Sequence, residues 1–423
     1  MQTNQQRVNQ GYTYAKEVYA QKNVDIDAAM EACAKIPVSM HCWQGDDVRG
    51  CEGDGIGASG GIMTTGNYPG RARNADEIRA DIDVALSMIP GAKKLNLHGS
   101  YAERQGRTYD RDAYTAKDFE NWINWAKERG LGLDMNPTCF SHPNADDGFT
   151  LSHPDKKIRD FWIEHTKRCR EIAQAFAKAT GQPSVVNVWV PDGFKDTPAD
   201  TTAPRARMMD SLDQIYADKS IDTTLVLDAV ESKLFGIGLE SYTVGSHEFM
   251  MGYALSRKKL YTLDSGHFHP TEQISGKISS LMLYLPLIHL HVTRGVGWDS
   301  DHVVTLDDPL QNIMNEIVYG GFIDRVLIGL DYFDASINRV AAWVIGMRNA
   351  QKALLRALTT PHKEAVEAEI KGDYTARLVS QEEAKTLPFS AVWDAYCEKN
   401  NVAVGDQWFD QLKTYESGVM FKR

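Results

Sequence analysis

The sequence changes abruptly from apolar to charged in the stretch Leu263-Asp264-Ser265-Gly266-His267-Phe268-His269-Pro270. The same change follows other apolar runs close by, at Glu231, at His291 and at Asp331. A buried strand that ends in charged side chains is costly unless those charges meet a metal, a partner or a substrate. We therefore expect a fold that brings these strand ends to one shared site.

The pattern on both sides of this stretch predicts that fold. Eight apolar runs lie between residues 37 and 331, and a helical pattern follows each of them. Alternating strands and helices predict a parallel sheet, and eight units close into a (β/α)8 TIM barrel with its site at the C-terminal strand ends. An open, doubly wound sheet is the alternative, but no GxGxxG motif follows the first run to favour it.

The barrel pattern does not cover the whole chain. One or two helices are predicted within residues 10–35, and the chain after Pro361 is charged and helical throughout. We predict a catalytic domain of residues 1–360, which includes the N-terminal helices, and a C-terminal helical extension of residues 361–423. Its apolar residues, such as Leu378 and Trp393, would contact a neighbouring subunit or pack on their own barrel.

Composition and charge exclude several classes of protein. The 423 residues carry a net charge of −11 with scattered Lys and Arg, which argues against a nucleic-acid partner. No run of about 18 apolar residues predicts a membrane span. The six cysteines form no CxxC pair and no secretory segment precedes them, so we expect free thiols in the cytoplasm.

The charged strand ends carry side chains that bind divalent metals. Residues two apart at an extended strand end share a face, as Glu231 and Lys233 do. This mixture of carboxylates and imidazoles without thiolate favours Mn²⁺, Mg²⁺ or Co²⁺ over a structural zinc, and seven ligands suit two ions better than one. The candidate ligands are Glu231, Asp264, His267, His291, Asp299, Asp301 and Asp331.

Each of these residues also has a plainer interpretation. Asp264 alone could equally accept backbone N–H groups, and Asp307 is expected to start a helix. His289 is expected to face the helices if His291 faces the barrel mouth. Trp43 and Trp189 could stack on a sugar or pack in the core, and His98 could be an acid–base group or a core histidine.

Several long strings in the sequence match one known family. Two of them are Gly266-His267-Phe268-His269-Pro270-Thr271-Glu272 and Trp298-Asp299-Ser300-Asp301-His302-Val303-Val304, and others span residues 38–47, 65–70, 231–238 and 333–339. On these strings the chain resembles the L-rhamnose isomerase family, from about residue 28 through the C-terminal helices. The resemblance implies a metal-dependent (β/α)8 barrel that interconverts L-rhamnose and L-rhamnulose and forms homotetramers.

The resemblance also divides the candidate ligands between two divalent ions. It implies that His267, Asp299 and Asp301 hold a catalytic Mn²⁺, with Mg²⁺, Co²⁺ or Zn²⁺ as alternative ions. The second metal, which is structural or anchors the substrate, would be held by Glu231, Asp264, His291 and Asp331.

The remaining site residues take roles around the sugar. The resemblance places Lys233 at the sugar oxygens near the carbonyl, and Trp189 and His98 in the sugar pocket. Trp43 and Glu231 are also expected to contact the substrate. Asp331 or His98 would assist ring opening as an acid–base group.

The expected reaction is a metal-assisted 1,2-hydride shift from C2 to C1, with the proton between O2 and O1 passing through a metal-bound water. Proton abstraction through an enediol is the rival route. An isomerase of a related aldose, or a metal-dependent hydrolase on the same barrel, is the alternative function. A sugar-binding barrel without activity is the third.

Overall fold

The structure, a computed structural model, describes residues 4–52, 64–233 and 241–423, without the side chains of 298–300. Eight parallel strands form a closed barrel in which each strand pairs with its neighbours in chain order, and the first pairs with the last. The predicted (β/α)8 barrel is therefore confirmed, and the open sheet is wrong. The strands are β1 Val38–His41, β2 Lys93–His98, β3 Gly132–Asn136, β4 Ser184–Val188, β5 Val226–Glu231, β6 Leu260–Asp264, β7 Ile288–Val292 and β8 Val326–Leu330.

Helices surround the barrel, and two more precede it. The two N-terminal helices are α1 Asn4–Ala20 and α2 Ile26–Lys35. The helices that follow the strands are α3 Ala75–Leu86, α4 Glu120–Glu128, α5 Lys156–Thr180, α6 Thr202–Tyr216, α7 His247–Arg257, α8 Ser275–Met282, α9 Asp308–Tyr319 and α10 Arg339–Thr359. None of the helices within the described ranges is long and apolar enough to cross a membrane.

Short side chains start many of these helices, as the sequence predicts. Asn74 accepts a hydrogen bond from the backbone N–H of Glu77 at the start of α3. Asp307 accepts one from the N–H of Leu310 at the start of α9, so its predicted role as a helix-start residue is confirmed. Each such cap satisfies an N–H that the helix itself leaves unpaired.

The alternation of side chains along β7 corrects one prediction. His289 and His291 lie two residues apart on one face, and their rings are 4.7 Å apart. His289 Nδ1 lies 3.2 Å from Thr262 Oγ1 of the neighbouring strand β6. The expectation that His289 faces the helices is wrong, because a strand cannot turn only one of two alternate residues outward.

The stretch after β7 forms an element that the sequence patterns did not predict. Residues Arg294–Val296 and Trp298–His302 pair as an antiparallel hairpin, and Gly297 adopts a φ of +85° at its turn. Asp299 and Asp301 therefore lie on a hairpin strand beyond the barrel, where a barrel strand end was expected. The N–H of Phe333 donates to the carbonyl of Asp301 at 3.3 Å, which ties this hairpin to the segment after β8.

The C-terminal extension consists of helices with different surroundings. Its members are α11 His362–Ile370, α12 Tyr374–Ala384, α13 Phe389–Lys399 and α14 Trp408–Gly418. Trp393 of α13 and Leu412 of α14 are buried against their own chain, as one of the two alternatives predicted. The helix α12, by contrast, has no buried residue, and Leu378 on it is 55% exposed.

Candidate metal centre

Four strand ends of the barrel bring their polar side chains together. Glu231 ends β5, Asp264 ends β6, His291 lies near the end of β7, and Asp331 follows β8. Each offers a ligand atom, and these atoms all lie within 4.8 Å of one another. They are the same four residues that the resemblance assigns to one metal.

The geometry of this group fits a divalent cation. His291 Nδ1 lies 3.1 Å from Glu231 Oε2 and 3.3 Å from Asp331 Oδ2, yet neither pair forms a hydrogen bond. Glu231 Oε1, Asp264 Oδ2 and both ring nitrogens of His291 are buried without a hydrogen-bond partner among the described residues. Buried polar atoms are nearly always paired, so oxygen and imidazole atoms left unpaired together form a group that could hold a cation.

Electrostatics supports the same conclusion. Burial, together with the charges of Glu231 and Asp331, raises the pKa of Asp264 to about 8. Burial alone would lower the pKa of His291, but the charges of the same two carboxylates outweigh it and raise that pKa well above its ordinary value. Without a cation the group therefore retains protons, and a divalent ion would take their place.

A second histidine and a lysine lie beside this group. His267 Nδ1 donates a hydrogen bond to the carbonyl of Ser232 at 2.9 Å, and the same nitrogen lies 3.1 Å from Glu231 Oε1. The ring hydrogen is thereby on Nδ1, which puts the lone pair on Nε2. Lys233 Nζ lies 3.4 Å from that Nε2 and 3.9 Å separates Nε2 from Asp264 Oδ2.

Aromatic rings extend from Asp331 to Lys233 in a row. The indole Nε1 of Trp43 donates to Asp331 Oδ1 at 2.9 Å. From Trp43 the ring centroids are spaced 4.5 Å to His98, then 5.4 Å to Phe140, then 5.8 Å to Trp189. Lys233 Nζ lies 5.1 Å from the centroid of the Trp189 ring. We call Trp43, His98, Phe140 and Trp189 the aromatic row.

His98 is a neutral imidazole in this row. Burial is the main reason that its pKa falls to about 3. Its Nδ1 lies 3.3 Å from Thr138 Oγ1. A neutral ring in this place can accept a hydrogen bond from a hydroxyl group, which suits a polar ligand.

Comparison with known proteins identifies the family. A model of the family described as L-rhamnose isomerase (RhaA) matches residues 6–423. The chain belongs to the L-rhamnose isomerase family. L-rhamnose isomerases of Salmonella typhi and Salmonella paratyphi B are each 55% identical to it over 417 residues, which cover 99% of this chain and 99% of theirs.

Solved structures were also compared. A solved structure of L-ribulose 3-epimerase aligns with 79% of this chain, and the alignment includes 97% of the epimerase chain. The two chains are 13% identical, with a TM-score of 0.48. The membership of the L-rhamnose isomerase family rests on the sequence relatives, which match along nearly the full length of both chains.

The structure describes most of the predicted site residues, but not all of them. The structure brings together Glu231, Asp264, His291 and Asp331, and it puts His267 and Lys233 next to them. The side chain of Asp299 lies outside the described residues, so the second metal site stays a prediction. Asp301 adopts a φ of +42°, a left-handed conformation that is uncommon outside glycine and often found at functional sites.

Some site residues escaped the sequence analysis. Asn187 donates a hydrogen bond to Glu231 Oε2, and its own Oδ1 accepts one from Thr262 Oγ1 at 2.7 Å. Its position between two valines, as a polar residue inside an apolar strand, was the available signal. Phe140 carried no such signal, because nothing in its sequence context separates a row member from a core phenylalanine.

One glycine makes room for the imidazoles. A Cβ atom at Gly329 of β8 would lie 3.0 Å from the carbonyl of Leu290, 3.2 Å from His289 Nε2 and 3.3 Å from the ring of His291. A side chain there would force the β7 histidines to move. The close approach of β7 and β8 therefore needs glycine at this position.

Proposed function

We propose that this protein is a metal-dependent aldose–ketose isomerase that interconverts L-rhamnose and L-rhamnulose. The observation that carries the proposal is the buried group of Glu231, Asp264, His291 and Asp331 at the C-terminal ends of the strands, where barrel enzymes keep their active sites. The names of the relatives supply the sugar. The reaction requires no redox cofactor in either direction, because the two isomers have the same oxidation state overall.

The four residues would hold one divalent ion, with Mn²⁺ as the proposed metal. His267, Asp299 and Asp301 would hold a second. A divalent ion bound there supplies Lewis-acid polarisation of the sugar oxygens and lowers the pKa of bound water. Glu231, Asp264 and His291 are nearly fully buried and the Asp331 side chain is 20% exposed, so Asp331 is the ligand nearest to an incoming sugar.

The other side chains bind and orient the sugar. Lys233 would stabilise the negative charge that develops on the carbonyl oxygen, since the residue is buried and its ammonium group lies between Trp189 and His267. The aromatic row offers ring faces and edges to the C–H surface of the sugar. Asp331 or His98 would assist ring opening as an acid–base group.

We propose that hydrogen moves directly from C2 to C1. We call Glu231, Asp264, His291 and Asp331 the metal group. Its three carboxylates face one another or His291, so none of them is placed as a separate base above C2. L-rhamnose deuterated at C2 tests this route. Retention of deuterium at C1 of the ketose supports direct transfer, and its loss to solvent would establish proton abstraction through an enediol.

A ketose assay tests the function itself. Protein stripped with a chelator should form no L-rhamnulose from L-rhamnose, and returning Mn²⁺ should restore the activity. A hydrolase on the same barrel would instead split its substrate into two products, and a binding protein would yield none with any ion. A related aldose that is turned over with a higher kcat/KM than L-rhamnose would make that aldose the substrate.

We further propose a homotetramer located in the cytoplasm. The support for an oligomer is an exposed apolar surface on α11 and α12 that includes Ile370, Tyr374, Leu378 and Val379. An exposed apolar patch of this kind is typical of an interaction surface. All six cysteines are free thiols, as expected in a reducing compartment.

A further inference from the structure

A closed set of hydrogen bonds lies behind the ring of His267. His247, the first residue of α7, contacts His267 on one side and Ser232 on the other. Ser232 stands between Glu231 and Lys233, so this contact reaches two predicted site residues through the backbone. None of the roles assigned so far uses His247.

The acceptors in this set fix the direction of each hydrogen bond. The carbonyl of His267 can only accept, so His247 Nε2 donates to it at 2.9 Å. In a neutral imidazole that carries its hydrogen on Nε2, the other ring nitrogen, Nδ1, is the acceptor. The hydroxyl of Ser232, 2.6 Å away, then donates to Nδ1, and the hydroxyl of Tyr261 donates to Ser232 Oγ at 2.6 Å.

The last hydrogen bond of the set leads back to the ring of His267, the predicted metal ligand. The carbonyl of Ser232 accepts the hydrogen of His267 Nδ1 at 2.9 Å. His247 thus holds both the backbone of His267, through its Nε2, and the residue whose carbonyl selects the tautomer of His267, through its Nδ1. Phe268 stacks on the His247 ring at a centroid distance of 3.9 Å and an angle of 13°, which fixes the plane of that ring.

We propose that His247 is a positioning residue that, acting with Ser232, holds the ring of His267 with its hydrogen on Nδ1 and its Nε2 presented as a metal ligand. This inference rests on the proposed function, in which His267 binds the second ion. Hydrogen-bond partners of ligating histidines typically change metal affinity about 10–100-fold when they are removed. His247 would therefore set the affinity of the His267 site without touching the metal or the sugar.

The test is a titration of Mn²⁺ into chelated protein, in which electron paramagnetic resonance measures the unbound ion. Wild-type protein should take up two ions per chain. His247→Leu should weaken one of the two sites roughly tenfold and leave the other unchanged. His247→Gln should recover part of the loss, because its amide N–H can still donate to the carbonyl of His267.

Two further variants separate positioning from general damage. His362 is also stacked on an aromatic ring, Tyr319, at 3.8 Å and 5°, but it lies on α11 outside the barrel. His362→Leu should bind both ions as wild type does. Ser232→Ala removes the hydroxyl that His247 accepts from and should weaken the same single site, which keeps the test open if His247→Leu does not fold.

Three results would overturn the inference. In the first, His247→Leu or, if that variant does not fold, Ser232→Ala binds both ions with wild-type affinity. In the second, His362→Leu loses as much affinity as His247→Leu, so that the loss of any stacked imidazole explains the effect. In the third, wild-type protein binds no Mn²⁺ at all, which would overturn the proposed function together with this inference.

Discussion

A single hydrogen bond joins the metal group, which includes Asp331, to the aromatic row, which begins at Trp43. The indole of Trp43, after β1, donates to Asp331 Oδ1 at 2.9 Å, while Asp331 Oδ2 faces His291 Nδ1 at 3.3 Å. The carboxylate is therefore held with one oxygen toward the row and the other toward the metal group. Trp43 was predicted as a sugar contact, and this bond adds the orientation of a metal ligand to that predicted role.

Replacing Trp43 by phenylalanine tests the effect of this bond. Trp43→Phe keeps an aromatic ring and removes the N–H, so we expect Mn²⁺ affinity at the four-residue group to fall roughly tenfold. Isothermal titration of chelated protein measures it. Trp122→Phe is the matched control, since Trp122 is buried and donates to the carbonyl of Tyr101 at 3.1 Å. Equal affinity in both variants would show that the indole N–H has no such role.

The raised pKa of Asp264 makes a prediction about pH. In metal-free protein its pKa of about 8 exceeds the ordinary value of 3.8, so the folded state binds the proton more tightly than the unfolded state. Its contribution to stability is full below about pH 3.8 and is lost progressively as pH rises from there to about 8. Asp264→Asn cannot ionise, so it should gain on wild type by up to about 1.4 kcal/mol per pH unit across this range.

Melting temperatures of the two metal-free proteins between pH 5 and pH 9 measure this difference. The melting temperature of Asp264→Asn should rise relative to that of wild type as pH increases. In saturating Mn²⁺ the wild-type protein should instead have the higher melting temperature. A gap that stays constant with pH would mean that Asp264 does not titrate in this range.

At the level of elements, periodicity predicted most of the fold. The strand β7, for example, alternates Ile288, Leu290 and Val292 with two histidines, and the apolar residues face the helices. The hairpin at Arg294–Val296 and Trp298–His302 was not predicted, because its strands are short and polar. It is held to distant backbone by the N–H of Phe333, which donates to the carbonyl of Asp301 at 3.3 Å, a contact that no local pattern contains.

The packing of α5 against β5 depends on a buried ion pair. Arg170 of α5 donates to both oxygens of Asp228 at 2.7 and 2.9 Å, and Lys259 also contacts Asp228 at 2.7 Å. The structure shows that Asp228 faces the helix layer, three residues before the metal-group residue Glu231 on the same strand.

Asp228→Ala should therefore lower the free energy of unfolding by about 3–5 kcal/mol, because it leaves the buried Arg170 without a carboxylate partner. Urea denaturation followed by circular dichroism measures the change. Asp160→Ala, which removes an exposed ion pair with Lys156 on the same helix, should cost at most about 1 kcal/mol. Similar losses in the two variants would contradict the structural role given to Asp228.

At the scale of the whole molecule, barrel closure explains why residues a hundred positions apart form one site. Because parallel barrel strands all end at the same mouth, counting strand–helix units was enough to predict that Glu231 and Asp331 meet. The count could not predict which partners hold them. Asn187, His247 and Phe140 reach the site through hydrogen bonds and ring contacts that depend on exact three-dimensional placement.

The exposed surface on α11 and α12 carries the prediction about assembly. Ile370 is 80% exposed and Leu378 is 55% exposed, so Leu378→Glu combined with Ile370→Glu should shift the protein from the proposed tetramer to smaller species. Size-exclusion chromatography with light scattering measures the mass. Tyr14→Glu, at a residue 60% exposed on α1, is the control and should remain tetrameric. Unchanged mass in the double variant would exclude this surface as a subunit contact.

We propose above that Glu231, Asp264, His291 and Asp331 hold a divalent ion at the barrel mouth. Anomalous X-ray diffraction from crystals grown with Mn²⁺, recorded on both sides of the manganese absorption edge, tests it most directly. We expect an anomalous peak within bonding distance of all four side chains. A map with manganese peaks elsewhere and none among these four residues would contradict it.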